Sequence, residues 1–198
     1  MVTSFLSRFI RPFSSATAPP LGAGMAVPEN AQKATLAAGC FWGVEHLFRR
    51  QFAKEGLLDV QVGYIGGESD SPTYRAVCTG DTGHAEAIQV LFDPTQTSYE
   101  SLLEFFYRMH DPTTPNRQGP DMGTQYRSAI FYHDDEQHKA ARKITDAVNE
   151  KWYKGKVATE IVKAGKWWGA EEYHQKYLDK NPRGYECPAH FIRDFPAL

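Results

Sequence analysis

Cys40 stands in Gly39-Cys40-Phe41-Trp42-Gly43, where a buried-strand pattern, ATLAAG (34–39), gives way to a helical one, GVEHLFRRQF. A thiol at such a junction meets helix N–H groups with no intrahelical acceptor and the positive end of the helix dipole. Both favour thiolate, the nucleophilic form of cysteine. The two glycines permit a tight turn that leaves the sulfur uncovered. Phe41 and Trp42 are large aromatics where capping residues are more usual, which suits a pocket for an apolar, soft group. The same residues also fit a buried, inert cysteine, and spacing alone does not choose. In HAEAIQVLF, Glu86 shares a strand face with Ile88, Val90 and Phe92. A carboxyl at the head of a core-facing row is desolvated, stays protonated near neutrality and can donate a proton. Otherwise it sits at the fraying end of its strand and turns to solvent. Tyr74 in SPTYR and Tyr126 in GTQYRS add uncharged hydrogen-bond donors. Cys187, in NPRGYECPAH, is flanked by Gly184 and Pro188. A mobile thiol there suits disulfide exchange, which needs access and an in-line approach. Cys78, in TYRAVCTG between two strands, has no evident partner and reads as inert.

The elements that must bring these residues together alternate strand and helix patterns. After the first strand and helix, Leu58, Val60, Val62 and Tyr64 alternate with Asp59, Gln61 and Gly63 as a strand that ends at Gly66-Gly67. A strand follows at 85–92, then a helix, SYESLLEFFYRMH, introduced by a Thr97/Glu100 capping box. The loop DPTTPNRQGPDMGTQ is long enough to suggest a functional role. Strand YRSAIFYH, helix DDEQHKAARKITDAVNEKW, strand KVATEIVKAG and helix AEEYHQKYLDK complete the series, with an irregular tail from Asn181. The order β-α-β-β-α-β-α-β-α predicts an α+β fold. It has two layers: a ferredoxin-like split βαβ core with a mixed sheet, and helices packed on it.

A chain of 198 residues, 41% hydrophobic and 23% charged, fits one globular domain and excludes a fibrous or disordered protein. No run approaches the ~20 apolar residues of a membrane span. A net charge of −2 gives no field for holding nucleic acid phosphates. Three cysteines are too few for a secreted disulfide scaffold. These features lead to the expectation of a soluble, intracellular protein. Residues 1–24 differ from the body: they hold Arg8 and Arg11, six Ser/Thr and no acid, with Phe5, Phe9 and Phe13 spaced every four positions. That is a transit-peptide composition, so 1–24 is expected to be a disordered targeting leader and 25–198 a single catalytic domain. The expected location is mitochondrial, cytoplasmic or both, since Met25 could serve as a second start. A chain beginning there is expected to be fully active.

The sequence resembles the A-type peptide methionine sulfoxide reductases. GCFWG (39–43), TYR (73–75), GDTGHAEA (80–87), GTQYRSAI (123–130) and HQKYLDKNPRGY (174–185) carry the match, in order, across about residues 34–187. The resemblance implies that Cys40 attacks the sulfoxide sulfur and that Phe41 and Trp42 wall the substrate's S-methyl group. Glu86 would be the acid, Tyr74 and Tyr126 its partners at the sulfoxide oxygen, and Asp121 a further polar pocket residue. Cys187 would resolve a Cys40 sulfenic acid as a disulfide, which thioredoxin then reduces. Implied substrates are oxidised proteins, peptides and free methionine-(S)-sulfoxide, with no metal or organic cofactor and a monomeric enzyme. Two positions depart from the family pattern: Glu186 separates Tyr185 from Cys187, and Met122 stands where some relatives have histidine. Two other readings compete. A cysteine hydrolase would use His84, His110 or His174 as base. A zinc module would start from Cys187-Pro-Ala-His190, but a structural site needs four ligands and no second pair has suitable spacing.

Overall fold

The first strand, β1 (Gln32–Ala38), is buried from Ala34 onward because elements cover both of its faces, and this burial rather than the strand propensity of QKATLAA fixes it. A computed structural model describes residues 17–198. After β1 come α1 (Phe41–Phe52), β2 (Leu57–Ile65), α2 (Tyr74–Cys78) and β3 (Ala85–Phe92). Next are α3 (Tyr99–Met109), the two-residue strands β4 (Arg117–Gln118) and β5 (Asp121–Met122), and a 3-10 turn, Thr124–Tyr126. The chain continues through β6 (Ser128–Tyr132), α4 (Asp135–Lys151), β7 (Glu160–Lys163) and β8 (Trp168–Gly169). A second 3-10 turn, Glu172–His174, and α5 (Tyr177–Lys180) precede the tail.

Six strands form one sheet in the order β7-β6-β1-β3-β2-β8. β3 lies antiparallel between β1 and β2, so those two run parallel with α1 crossing between them, which is the split βαβ unit. β6 is antiparallel to β1 and parallel to β7, which makes the sheet mixed. The α+β architecture is therefore as expected. One sheet face carries Leu36, Val62, Ile88 and Val90 against Phe48 and Phe52 of α1 and Leu102 and Phe106 of α3. Each such side chain contributes roughly 1.5–3 kcal/mol on leaving water, so this layer carries most of the stability. The opposite face carries a smaller cluster that includes Ile65, Ala85, Ala87 and Phe131. Glu86 is thus on the helix side, with its neighbours Ala85 and Ala87 on the other.

Several expectations are corrected. The helix expected over 170–180 is broken, because tertiary partners outcompete its own hydrogen bonds. Gln175 uses its side-chain amide as a strand residue would, accepting from Val62 N–H (2.9 Å) and donating to Val62 C=O (3.0 Å). Lys176 then adopts φ +54° and gives its N–H to Glu45 (2.8 Å). The strand expected over 156–165 shrinks to β7, since Val157 N–H goes to Asn149 and Ala158 N–H to Pro112. Ser98, not Thr97, caps α3, accepting Ser101 N–H at 3.1 Å. The long loop contains the β4–β5 hairpin, and α2 is an added element. Of the leader, residues 1–16 lie outside the described residues. Residues 17–24 are not a disordered tail: Thr17 bridges Glu171, Ala18 N–H donates to Ala170 C=O (3.2 Å) and Gly22 N–H to Asp59 (2.9 Å).

Candidate active site

Cys40 is the N-cap residue of α1, but its side chain makes no capping bond. The carboxylate of Glu86 takes that place, accepting Phe41 N–H at 3.1 Å from β3. Both side chains are buried, Glu86 at 1% exposure. Burial, helped by the neighbouring Glu86, pushes the Cys40 thiol well above the ordinary cysteine range, against the pull of the Trp42 amide. The expectation that the helix start lowers this pKa is therefore corrected: desolvation outweighs the helix terminus. Burial likewise lifts Glu86 to about 8, opposed by the Phe41 amide and reinforced by Asp121. At neutral pH the two groups face each other protonated.

An aromatic wall surrounds them. Phe41 lies 5.8 Å from Tyr64 and 6.5 Å from Tyr74, and Trp42 stacks on Tyr177 at 3.8 Å. Trp42 Nε1–H donates to His174 Nδ1 at 3.0 Å. Burial draws His174 down to about 4, so the ring is a neutral acceptor that orients the indole. Tyr74, on α2, and Tyr126, ending the first 3-10 turn, both have hydroxyls raised first by desolvation and then by the nearby Glu86. Cys78 is exposed, yet its thiol is hydrogen-bonded to Tyr74 and feels Glu86. The reading that it lacks a partner is corrected, because one turn of α2 brings residues 74 and 78 onto the same face.

Cys187 is seated in the fold rather than exposed in a tail. It is 1% exposed, its Sγ lies 3.4 Å from Gln118 C=O, and burial pushes its pKa up to about 11. It is within electrostatic range of Cys40. The turn holding it is pinned by His190, which among the described residues has no hydrogen-bond partner at Nδ1 and donates through Nε2 to Ala38 C=O at 2.7 Å. The glycines of the pentapeptide serve this packing. A Cβ at Gly39 (φ +91°) would lie 2.6 Å from Gln118, and one at Gly43 would lie 2.5 Å from His190 Nδ1. Asp121 accepts the Tyr185 hydroxyl at 2.8 Å and bears electrostatically on Cys40, Glu86 and Cys187. Met122 points outward, 69% exposed.

The structure thus brings Cys40, Phe41, Trp42, Tyr74, Glu86, Asp121, Tyr126 and Cys187 close together. Sequence reasoning missed Tyr64, Glu171 and Tyr177. Strand alternation places Tyr64 on the Val60/Val62 face and so could have found it. Of the histidines proposed as a hydrolase base, His84 is bonded to Gly67 N–H and Ser69 C=O, and His110 to Phe106 C=O and Ser128. Among the described residues no cluster of three His, Cys, Asp or Glu could hold a metal, and no helix is long and apolar enough to cross a membrane.

Comparison with known proteins places the chain in a family. The family model described as peptide methionine sulfoxide reductase matches residues 32–194. A probable peptide methionine sulfoxide reductase of Schizosaccharomyces pombe is 52% identical over 164 residues, covering 82% of this chain and 96% of that protein. The crystal structure of Mxr1 from Saccharomyces cerevisiae in reduced form superposes with a TM-score of 0.80 at 47% identity, covering 84% of this chain and 94% of that one. Mxr1 in complex with Trx2 superposes with a TM-score of 0.60 at 29% identity, over 87% and 97% of the two chains.

Proposed function

The chain belongs to the peptide methionine sulfoxide reductase family and is an oxidoreductase, and we propose that it reduces methionine-(S)-sulfoxide, free or in proteins, with Cys40 as nucleophile and Glu86 as proton donor. The observation that carries this reading is Glu86: buried, neutral up to about pH 8, and bonded to the amide next to Cys40. A sulfoxide oxygen leaves sulfur only when protonated or strongly hydrogen-bonded. Glu86 supplies the proton, and the Tyr74 and Tyr126 hydroxyls hold the oxygen as charge develops on it. The Cys40 sulfur attacks the sulfoxide sulfur and its own proton makes good the one Glu86 gives, so none is exchanged with water. The hydroxyl then passes from the methionine sulfur to the Cys40 sulfur: the S–O bond and the newly formed S–S bond both break, methionine departs with the electron pair, and Cys40 is left as sulfenic acid. Phe41 and Trp42 receive the S-methyl group.

Cys187 then attacks the sulfenic sulfur, water leaves, and a Cys40–Cys187 disulfide forms. A thioredoxin dithiol reduces it by exchange, a role supported by the similar Mxr1 having been solved with Trx2. The enzyme works as a monomer in repair of oxidised proteins. Its acid-free, arginine-bearing first residues address it to the mitochondrion, and starting at Met25 leaves a cytoplasmic form. The test is incubation with a methionine sulfoxide peptide and dithiothreitol, following methionine by mass, with Cys40→Ser as control. Conversion no greater than in that control refutes the reading. Cys187→Ser is expected to release about one methionine per site and then stall with thioredoxin. Full turnover in that variant removes Cys187 from the cycle.

A further inference from the structure

Three largely buried glutamates stand on the elements that build the site, and each is held differently. Glu86 faces the nucleophile. Glu45 is paired with Arg49 at 2.9 Å and bonded to Lys176 N–H. Glu171 stands just before the second 3-10 turn with its side chain 15% exposed, and its ion-pair neighbour among the described residues is His174 at 3.9 Å, a ring that burial keeps neutral. It is held instead by neutral donors: one oxygen accepts Tyr74 N–H and the other the Tyr64 hydroxyl, both at 2.9 Å.

These partners come from separate parts of the fold. Tyr64 lies opposite Glu86 in the β2–β3 register and packs on Phe41. Tyr74 opens α2, a five-residue helix in which Val77 is buried and the Tyr74 ring packs on Phe41, Trp42 and His174, so two side chains supply its packing and hydrogen bonds must fix the rest. Its C-terminal end is tied by Gln125 to Cys78 C=O and by Thr124 to Gly80 C=O, both at 3.2 Å, and Glu171 ties its N-terminal end. We propose that Glu171 is the positioning residue for Tyr74, fixing where the tyrosine hydroxyl meets the sulfoxide oxygen. It touches no substrate and acts by locating α2 against β2. The inference rests on the role given to Tyr74 above.

The test measures single-turnover methionine release for Glu171→Ala and Glu171→Gln, each in wild-type and Tyr74→Phe backgrounds, with thermal unfolding as a check on folding. Glu171→Ala is expected to slow release by roughly 10–100-fold, since displacement of a contacting group by about 1 Å costs that order of rate. Glu171→Gln, which keeps one acceptor, should fall between. In the Tyr74→Phe background the same Ala change should cost much less, because the hydroxyl it positions is gone. Tyr64→Phe, which deletes one donor and no packing, should slow release in the same direction and serves if Glu171→Ala does not fold. Losses that are fully additive with Tyr74→Phe, or a Glu171→Ala or Tyr64→Phe chain as fast as wild type, overturn the proposal alone. A Tyr74→Phe chain as fast as wild type overturns the role of Tyr74 and this inference with it.

Discussion

Glu86 titrates near 8 in the fold against an ordinary value of 4.5. An acid raised in this way binds more protons folded than unfolded between those values. Its contribution to stability is present in full below about pH 4.5 and is lost as pH rises through about 8. In the mechanism proposed above, the same ionisation removes the proton donor and places a negative charge beside Cys40, whose thiol is already held protonated by burial. Single-turnover methionine release should therefore fall above about pH 8. Glu86→Gln should slow release by ~10²–10⁴, abolish that fall, and flatten the decline of stability between pH 5 and 8. Stopped-flow release and denaturant unfolding across pH measure these effects. A wild-type rate that climbs steadily through pH 9 would mean that thiol ionisation sets the rate, and Glu86 would lose its role.

The turn that carries Cys187 is seated against the first turn of α1 through His190, and Gly43 leaves the room for that ring. Gly43→Ala raises helix propensity by about 0.5–1 kcal/mol, yet its Cβ would meet His190 at 2.5 Å. The ring must move and take the Cys187 turn with it. Unfolding midpoints should change little and one methionine per site should still be released, while thioredoxin-supported turnover falls about tenfold, an order set by misplacing one reacting group. Equal turnover in both chains would show that the turn needs no such seat. His190 also shows what the sequence conceals. Strands β2, β3 and β6 and helices α1, α3 and α4 declare themselves because their own periodicity reports the face they bury, and β1 as a short apolar run ended by glycine. Cys40 at a helix start and Glu86 on an apolar row were legible for the same local reason. α2, the β4–β5 hairpin, the break at Lys176 and the burial of Cys187 depend on partners more than 40 residues away, such as Gln175 on Val62 and Cys187 on Gln118. Glycines 39 and 43 looked like freedom for a thiol and are instead clearance for Gln118 and His190.

Residues 17–24 close the β2–β8 edge of the sheet, so the body of the molecule begins before Met25. Ala18 and Thr17 pair with Ala170 and Glu171, Gln61 donates its amide to Pro19 C=O, and Gly22 binds Asp59. Asp59 also meets Arg49, Arg49 meets Glu45, and Glu45 holds Lys176 N–H beside the wall formed by His174 and Tyr177. A chain starting at Met25 keeps the whole apolar core, which begins at Ala34, and should fold. It loses about three net hydrogen bonds worth ~1 kcal/mol each. At roughly 2–4 °C per kcal/mol for a domain of this size, its thermal midpoint should drop by about 6–12 °C. A chain starting at Thr17 keeps these contacts and is the reference for the one starting at Met25. The shorter chain should also reduce the sulfoxide peptide more slowly, because Glu171 loses its Thr17 bridge and Asp59 its Gly22 bond. Calorimetry and single-turnover release on the three chains separate the effects. Equal midpoints for the chains starting at Thr17 and Met25 would mean that residues 17–24 lie on the sheet edge without stabilising it. In that case the domain would begin at Met25, as composition alone suggests.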